Sequence, residues 1–163
     1  DYDGTLPYYP FPCMLIVHYT IEKWGLNLEV LVKNMGSEKL PYHLGWHPYW
    51  PLSKGWRLDA HLTHEFDTDH RKQLIDIVEA RPLDWMNEVN SGYKYKGELA
   101  FYTGDKKLSL INEHPWVQLF KPLNGRVLAI EPMTGLGHPS TPWLELDPYE
   151  DRLHKMGMRI ETV

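Results

Sequence analysis

The chain has 163 residues, a formal net charge of −5 and one cysteine, Cys13. That length supports one domain with a real core, the negative charge argues against a nucleic-acid footprint, and one cysteine rules out an intrachain disulfide framework or a multi-cysteine metal site. No apolar run approaches the roughly 18 residues of a membrane-spanning helix and no signal peptide is visible, so a cytoplasmic location is the default expectation. The chain opens without Met on the turn-like Asp1-Tyr2-Asp3-Gly4, and its start is expected to have been cut or lost.

Residues 1–10 read as a loop punctuated by Gly4, Pro7 and Pro10. Residues 12–20 are rich in β-favouring side chains, and Cys13 is expected there as a small buried thiol. Leu26, Leu28, Val30 and Val32 take every second position of 26–33, the pattern of a half-buried strand. The two runs predict a hairpin across residues 22–25. Residues 41–47 read as a strand running into Pro48, whose missing N–H stops pairing. Residues 57–63 alternate again; 73–80 fit a strand or a short helix. Residues 92–97, Gly-Tyr-Lys-Tyr-Lys-Gly, read as a loop. The mixed charge run at 67–72 reads as a solvated loop. Five more short β-type runs lie at 98–103, 107–112, 116–121, 127–131 and 156–160. Many short strands with Gly/Pro turns and no three-turn helix predict an all-β sandwich or barrel.

Two stretches carry chemistry. Leu44-Gly45-Trp46-His47-Pro48-Tyr49-Trp50 packs three aromatic rings around one imidazole. Aromatic faces cover apolar sugar C–H faces, and a histidine moves protons near neutral pH. In the second stretch, 126–135, an apolar strand ends on Glu131 and breaks at Pro132. A carboxylate at the end of a buried strand is costly unless it is paired or its pKa rises, and a raised pKa suits a general base or acid. A strand-end glutamate that reaches solvent is the plainer alternative.

Other chemistries find little support. His43 and His47 share a strand face at their even spacing, whereas His61 and His64 point oppositely; no third metal ligand follows in a zinc spacing. No serine lies in Gly-x-Ser-x-Gly, and Gly135-Leu136-Gly137 precedes His138-Pro139 rather than a helix start. Gln118 and Lys121, on the strand before the glutamate strand, are candidates to line a site.

Several motifs together resemble the aldose 1-epimerase (galactose mutarotase) family. They are Tyr9-Pro10-Phe11-Pro12, Val17-x-Tyr19, Gly25-Leu26, Val32-x-Asn34-x-Gly36, the Gly45-Trp46-His47-Pro48-Tyr49 run, Glu131-Pro132-Met133-Thr134-Gly135, and Leu146-Asp147-Pro148-Tyr149-Glu150. The resemblance implies a large antiparallel β-sandwich, often called a supersandwich, spanning residues 1–163 as one incomplete mutarotase-like domain, the C-terminal portion of the family fold. It implies interconversion of α and β anomers of a free monosaccharide, with Glu131 as catalytic base, His47 as general acid and no metal or other cofactor. Trp46, Tyr49, His43 and Gln118 are the expected substrate-binding residues. The family's N-terminal part, which supplies an arginine and a further histidine to hold the sugar, has no counterpart in residues 1–8. The region of a sugar-binding aspartate corresponds to Asn90-Ser91-Gly92-Tyr93-Lys94-Tyr95, and Tyr149 stands where the family usually has glycine. A sandwich shortened in this way leaves an unpaired edge and an uncovered apolar face. It is expected to be completed by a second chain, by self-association or by residues outside this sequence. The alternative function is a non-catalytic carbohydrate-binding or interaction domain that keeps the fold.

Overall fold

The computed structural model describes residues 1–68, 74–135 and 143–163. Of the charged run at 67–72, Asp67 and Thr68 are strand rather than loop and residues 69–72 lie outside the described residues, as do residues 136–139 of the Gly-Leu-Gly-His-Pro segment. The described residues contain twelve strands and no helix. They are β1 (Cys13–Glu22), β2 (Gly25–Asn34), β3 (Leu40–Tyr42), β4 (Tyr49–Pro51), β5 (Arg57–Thr68) and β6 (Leu74–Glu79), followed by β7 (Val89–Thr103), β8 (Lys106–Asn112), β9 (Trp116–Lys121), β10 (Val127–Met133), β11 (Leu144–Leu146) and β12 (Asp151–Thr162). Ten form one antiparallel sheet in the order β1-β2-β12-β8-β7-β9-β10-β4, with β5 on β7 and β6 on β5; β3 and β11 pair separately.

The expected hairpin forms, with β1 and β2 paired from Cys13↔Asn34 to Glu22↔Gly25. The ambiguous segment at 73–80 contains strand β6. Strand β7 is the junction of the sheet. Its first half pairs β9, its second half pairs β8, and β5 runs along it from Arg57↔Tyr102 to Glu65↔Tyr93. Two hydrophobic cores follow. The larger gathers Tyr93, Tyr95, Leu99, Phe101, Val117, Leu119, Leu128 and Ile130; the smaller gathers Leu28, Val30, Val32, Leu40, Tyr42, Leu146 and Met156 beneath the β3–β11 pair. Trp46 packs against both.

Residues 92–97 are not a loop but the middle of β7. Tyr93 and Tyr95 point into the larger core, the period of two that a strand requires. The two glycines that suggest a loop do other work. Gly97 is left-handed (φ 72°) where the β5–β7 register shifts between Ala60 and His61, a β-bulge. Gly92 lies under the ring of Phe66: a Cβ there would come within 1.9 Å of Phe66 Cδ2. The expected strand at 41–47 is also shorter than its composition suggests, since β3 ends at Tyr42 and the chain then makes one isolated bridge, Gly45↔Met133. Cys13 is half-buried rather than buried, because it opens an edge strand.

That edge strand exposes a row of apolar side chains. Leu15, Val17, Tyr19 and Ile21 of β1 stand opposite Val32, Val30, Leu28 and Leu26, so they extend the face on which β2 packs its core residues. All four are exposed, Ile21 at 86%. The strand carries no lysine or proline to blunt its edge. Replacing Val17 and Ile21 by lysine is expected to reduce binding of a hydrophobic dye and concentration-dependent association in sedimentation velocity. Because the positions are exposed, stability should change by no more than about 0.5 kcal/mol. Dye binding and sedimentation identical to those of the parent chain would show that this edge is not the sticky surface.

Tyr149 adopts φ 64° in the turn before β12, where the Glu150 amide donates to Asp147 O at 3.1 Å. A left-handed third residue after proline is the requirement of a type II turn, and glycine meets it without the Cβ penalty. Tyr149→Gly is expected to stabilise the chain by about 0.5–1 kcal/mol, a rise in Tm of roughly 1–4 °C in a thermal melt.

Candidate active site

The segment at 44–52 and the segment at 126–134 lie antiparallel in one register. Tyr49↔Ala129, Trp50↔Leu128 and Pro51↔Val127 pair as β4–β10, and the Gly45↔Met133 bridge continues the same count. Backbone bonds close both ends: Leu52 N to Arg126 O at 2.9 Å, Trp46 N to Pro132 O at 3.1 Å and Thr134 N to Leu44 O at 2.9 Å. Buried Thr134 adds an acceptor, its Oγ1 taking the Leu44 amide at 2.9 Å. Between these ends Pro48 offers no N–H, so the ladder opens there. The register places His47 directly opposite Glu131.

Cross-strand partners share a sheet face. Glu131 pairs with Gln118 of β9, which pairs with Gly92 of β7; one residue row over, Tyr49, Ala129, Phe120 and Asn90 line up in the same way. The alternate residues Leu128, Ile130, Leu119 and Val117 fill the larger core behind them. One face of β4, β10, β9 and β7 is therefore core, and the other carries His47, Tyr49, Asn90, Gln118, Phe120 and Glu131 around an open cavity of about 340 Å³.

His47 Nε2 lies 3.2 Å from Glu131 Oε1. The two side chains differ in setting: His47 is 52% exposed and Glu131 only 12%. The imidazole stacks on the Tyr49 ring, centroids 4.8 Å apart. Gln118 donates through Nε2 to Asn90 Oδ1 at 3.0 Å. Burial pushes the Glu131 carboxyl above its ordinary value of 4.5, and the adjacent His47 charge pulls it part of the way back. A carboxylate with a raised pKa beside an imidazole can accept a proton from a hydroxyl while its neighbour donates one.

Of the residues expected at a site, the structure gathers Glu131, His47, Tyr49 and Gln118 around one cavity. Trp46 is instead half-buried between the two cores, with its ring edge-on to Trp50 at 6.5 Å. His43 does not share a strand face with His47, because the regular strand has already ended; its ring lies 4.2 Å from Trp143 and against Gly135, and burial lowers its pKa. Lys121 is buried opposite Val89 on the core side. Asn90 and Phe120 line the cavity without being singled out as binding residues in the sequence. The signal for them was the even spacing from Gln118 to Phe120, together with the register that sets Asn90 opposite Phe120. Among the described residues no group of three or more His, Cys, Asp or Glu side chains gathers as a metal site, and no helix is long and apolar enough to cross a membrane.

The all-β antiparallel sheet places the chain in the galactose mutarotase-like class of folds. The aldose 1-epimerase family profile matches residues 1–131, and the chain belongs to that family. A provisionally named aldose 1-epimerase from Escherichia coli K12 superposes with a TM-score of 0.83 at 19% identity, covering 94% of this chain and 62% of that one. A galactose mutarotase-like protein from Clostridium acetobutylicum gives 0.79 at 15%, covering 96% and 58%. The GalM/aldose epimerase homologue from C. elegans gives 0.79 at 13%, covering 100% and 64%. The uncharacterized protein YphB of Escherichia coli K12 is 33% identical over 81 residues, covering 42% of this chain and 28% of that protein. The chain thus spans less than two thirds of the length of each of these relatives.

The raised pKa has a consequence for stability. The fold holds the Glu131 proton more tightly than the unfolded chain does, so this group's contribution is fully present below pH 4.5 and is lost as pH rises through its higher folded value. Glu131→Gln keeps an uncharged group of the same shape. Urea unfolding at about pH 4 and about pH 7 should show the wild type losing ground to this variant as pH rises. A stability difference independent of pH would contradict the burial argument.

Proposed function

We propose that the chain acts as an aldose 1-epimerase-like isomerase on a free monosaccharide, residues 1–163 working as one mutarotase-like domain, with Glu131 as base and His47 as acid. The observation that carries this reading is the 3.2 Å contact between a largely covered carboxylate and a half-exposed imidazole on the cavity-lining face of the sheet. Anomer exchange acts on two oxygens of one carbon, the C1 hydroxyl and the ring oxygen, so acid and base must stand side by side, as these two do.

In the proposed cycle the sugar enters between the two groups and replaces their mutual contact. Glu131 takes the proton of the C1 hydroxyl, His47 gives its proton to the ring oxygen, and the C1–O5 bond breaks to leave an aldehyde and a C5 hydroxyl. Rotation about C1–C2 turns the other carbonyl face toward C5–O. On reclosure His47 recovers its proton from the C5 hydroxyl and Glu131 returns one to the new C1 hydroxyl, so protons balance over a turnover. Each group contributes about 10²–10⁴-fold. Tyr49 holds the imidazole by stacking, while Gln118 and Asn90 offer carboxamide donors and acceptors to the sugar hydroxyls. Trp46 and His43 support the segment that bears His47 by packing.

The test is anomer equilibration of fresh α-D-glucose and α-D-galactose followed by polarimetry. The reading expects acceleration over buffer, a fall of about 10²-fold or more in Glu131→Gln and in His47→Ala, and an acidic limb that lies above the ordinary carboxylate range. No acceleration, with sugar binding still visible by NMR, would reject the enzyme in favour of a carbohydrate-binding domain.

A further inference from the structure

The β3–β11 pair is a small flap on the smaller core. Its ladder is three residues long, from Leu40↔Leu146 to Tyr42↔Leu144. One end is anchored by buried Asn34, whose Nδ2 donates to Leu146 O at 3.1 Å and to Asp147 O at 3.0 Å. In the middle the Tyr9 hydroxyl donates to Pro41 O at 2.7 Å. The other end runs directly into residues 43–47, and so to His47. There Tyr42 is buried, and its hydroxyl lies 2.8 Å from Nε2 of His154.

His154 lies on β12 opposite Val30 of β2. The register Met156↔Asn112, carried two residues further, sets His114 of the β8–β9 turn directly opposite it on β12's other side. His114 Nε2 is 3.3 Å from His154 Nδ1. Tyr42, His154 and His114 thus form one hydrogen-bonded chain that runs from the flap to a half-buried ring. Two neutral imidazoles satisfy it, with every hydrogen pointing the same way along the chain. A proton on each ring instead sets two like charges 3.3 Å apart, with His154 only 2% exposed. Other groups act on the pair. Arg152, two residues before His154 on the same strand face, brings a further positive charge to Tyr42 and both rings. Glu113 opposes it, and its carboxylate also takes the Lys155 amide at 3.1 Å. β2 sets apolar Val30 beside His154, and β11 adds Leu144 and Leu146 to the same core. His43, next after Tyr42, turns away to Trp143 and Gly135. Burial, first of all, lowers both imidazoles from their ordinary value of 6.5.

We propose that the Tyr42–His154–His114 chain is a latch worked by protons. It holds the flap closed while both rings are neutral, and acidification releases the flap at the end that leads to His47, with the Asn34 end as the hinge. When that end opens, the rings reach water and take up protons at their ordinary value. Closure is therefore complete above pH 6.5 and is lost as pH falls below it, by about tenfold per pH unit for each histidine released. The latch stands on the flap and its hydrogen bonds, independently of the isomerase reading.

The test is amide hydrogen exchange at pH 7.5 and pH 5.5, read as protection after correction for the intrinsic rates. Protection of residues 42–46 and 144 is expected to fall by about 10- to 100-fold at the lower pH. The Leu40 and Leu146 amides at the hinge, and Val117 and Leu119 of β9, should keep theirs. His114→Gln keeps a hydrogen-bonding group that does not titrate, and should shrink the fall to about tenfold or less. Tyr42→Phe keeps the ring but cuts the link, so residues 42–46 should exchange quickly at both pH values. His43→Gln should respond like the parent chain. The latch is overturned if protection at 42–46 does not change with pH or falls equally in β9. It is overturned equally if His114→Gln and Tyr42→Phe behave as the parent does, or if the response disappears in His43→Gln.

Discussion

The candidate site depends on one strand pairing. The segment at 44–52 lies against the segment at 126–134 in a single register, bonded at both ends and open in the middle at Pro48. Backbone geometry, not side-chain reach, sets the separation of His47 and Glu131, because opposite residues on paired strands are held within about 5 Å at Cβ. The open middle lets the imidazole stand half in solvent while the carboxylate stays covered.

The second constraint is the alternation of the strand itself. On β10, Leu128 and Ile130 face the core, and Ala129 and Glu131 face the other side. Each polar group of the site thus has an apolar neighbour in sequence that anchors it. Glu131 is costly as a charge, and the packing of Leu128 and Ile130 keeps it in place regardless. Rigid elements holding a destabilised ionisable group are what acid–base chemistry near neutral pH requires.

Much of this was legible in the residues. The β1–β2 hairpin followed from Leu26, Leu28, Val30 and Val32 at every second position, and the strand bearing Glu131 from its apolar run, although β10 does not break at Pro132 but pairs on through Met133, because the proline carbonyl still accepts from Trp46 N. Gathering His47, Tyr49, Gln118 and Glu131 needed only those strands and the family motifs. What escaped reading was set by distant contacts. Gly92 and Gly97 look like loop residues until the Phe66 ring and the bulge opposite Ala60 and His61 are known. His43 appeared to share a face with His47, but β3 stops at Tyr42 because the following residues turn to bridge Met133. Asn90 joins the site through its partner Phe120 and its hydrogen bond from Gln118. Local pattern reports alternation; it does not report which strand arrives next door.

The two segments that hold His47 and Glu131 are each other's direct neighbours, and residues 53–125 form a long excursion between them. The chain therefore separates chemistry from choice. The clasp fixes where His47 and Glu131 stand, and the excursion supplies Asn90, Gln118 and Phe120 to the same cavity. Changes along the excursion can alter what is admitted without disturbing the distance between His47 and Glu131. A scaffold divided in this way can vary one part of its cavity lining while keeping the contact between His47 and Glu131 intact in the other.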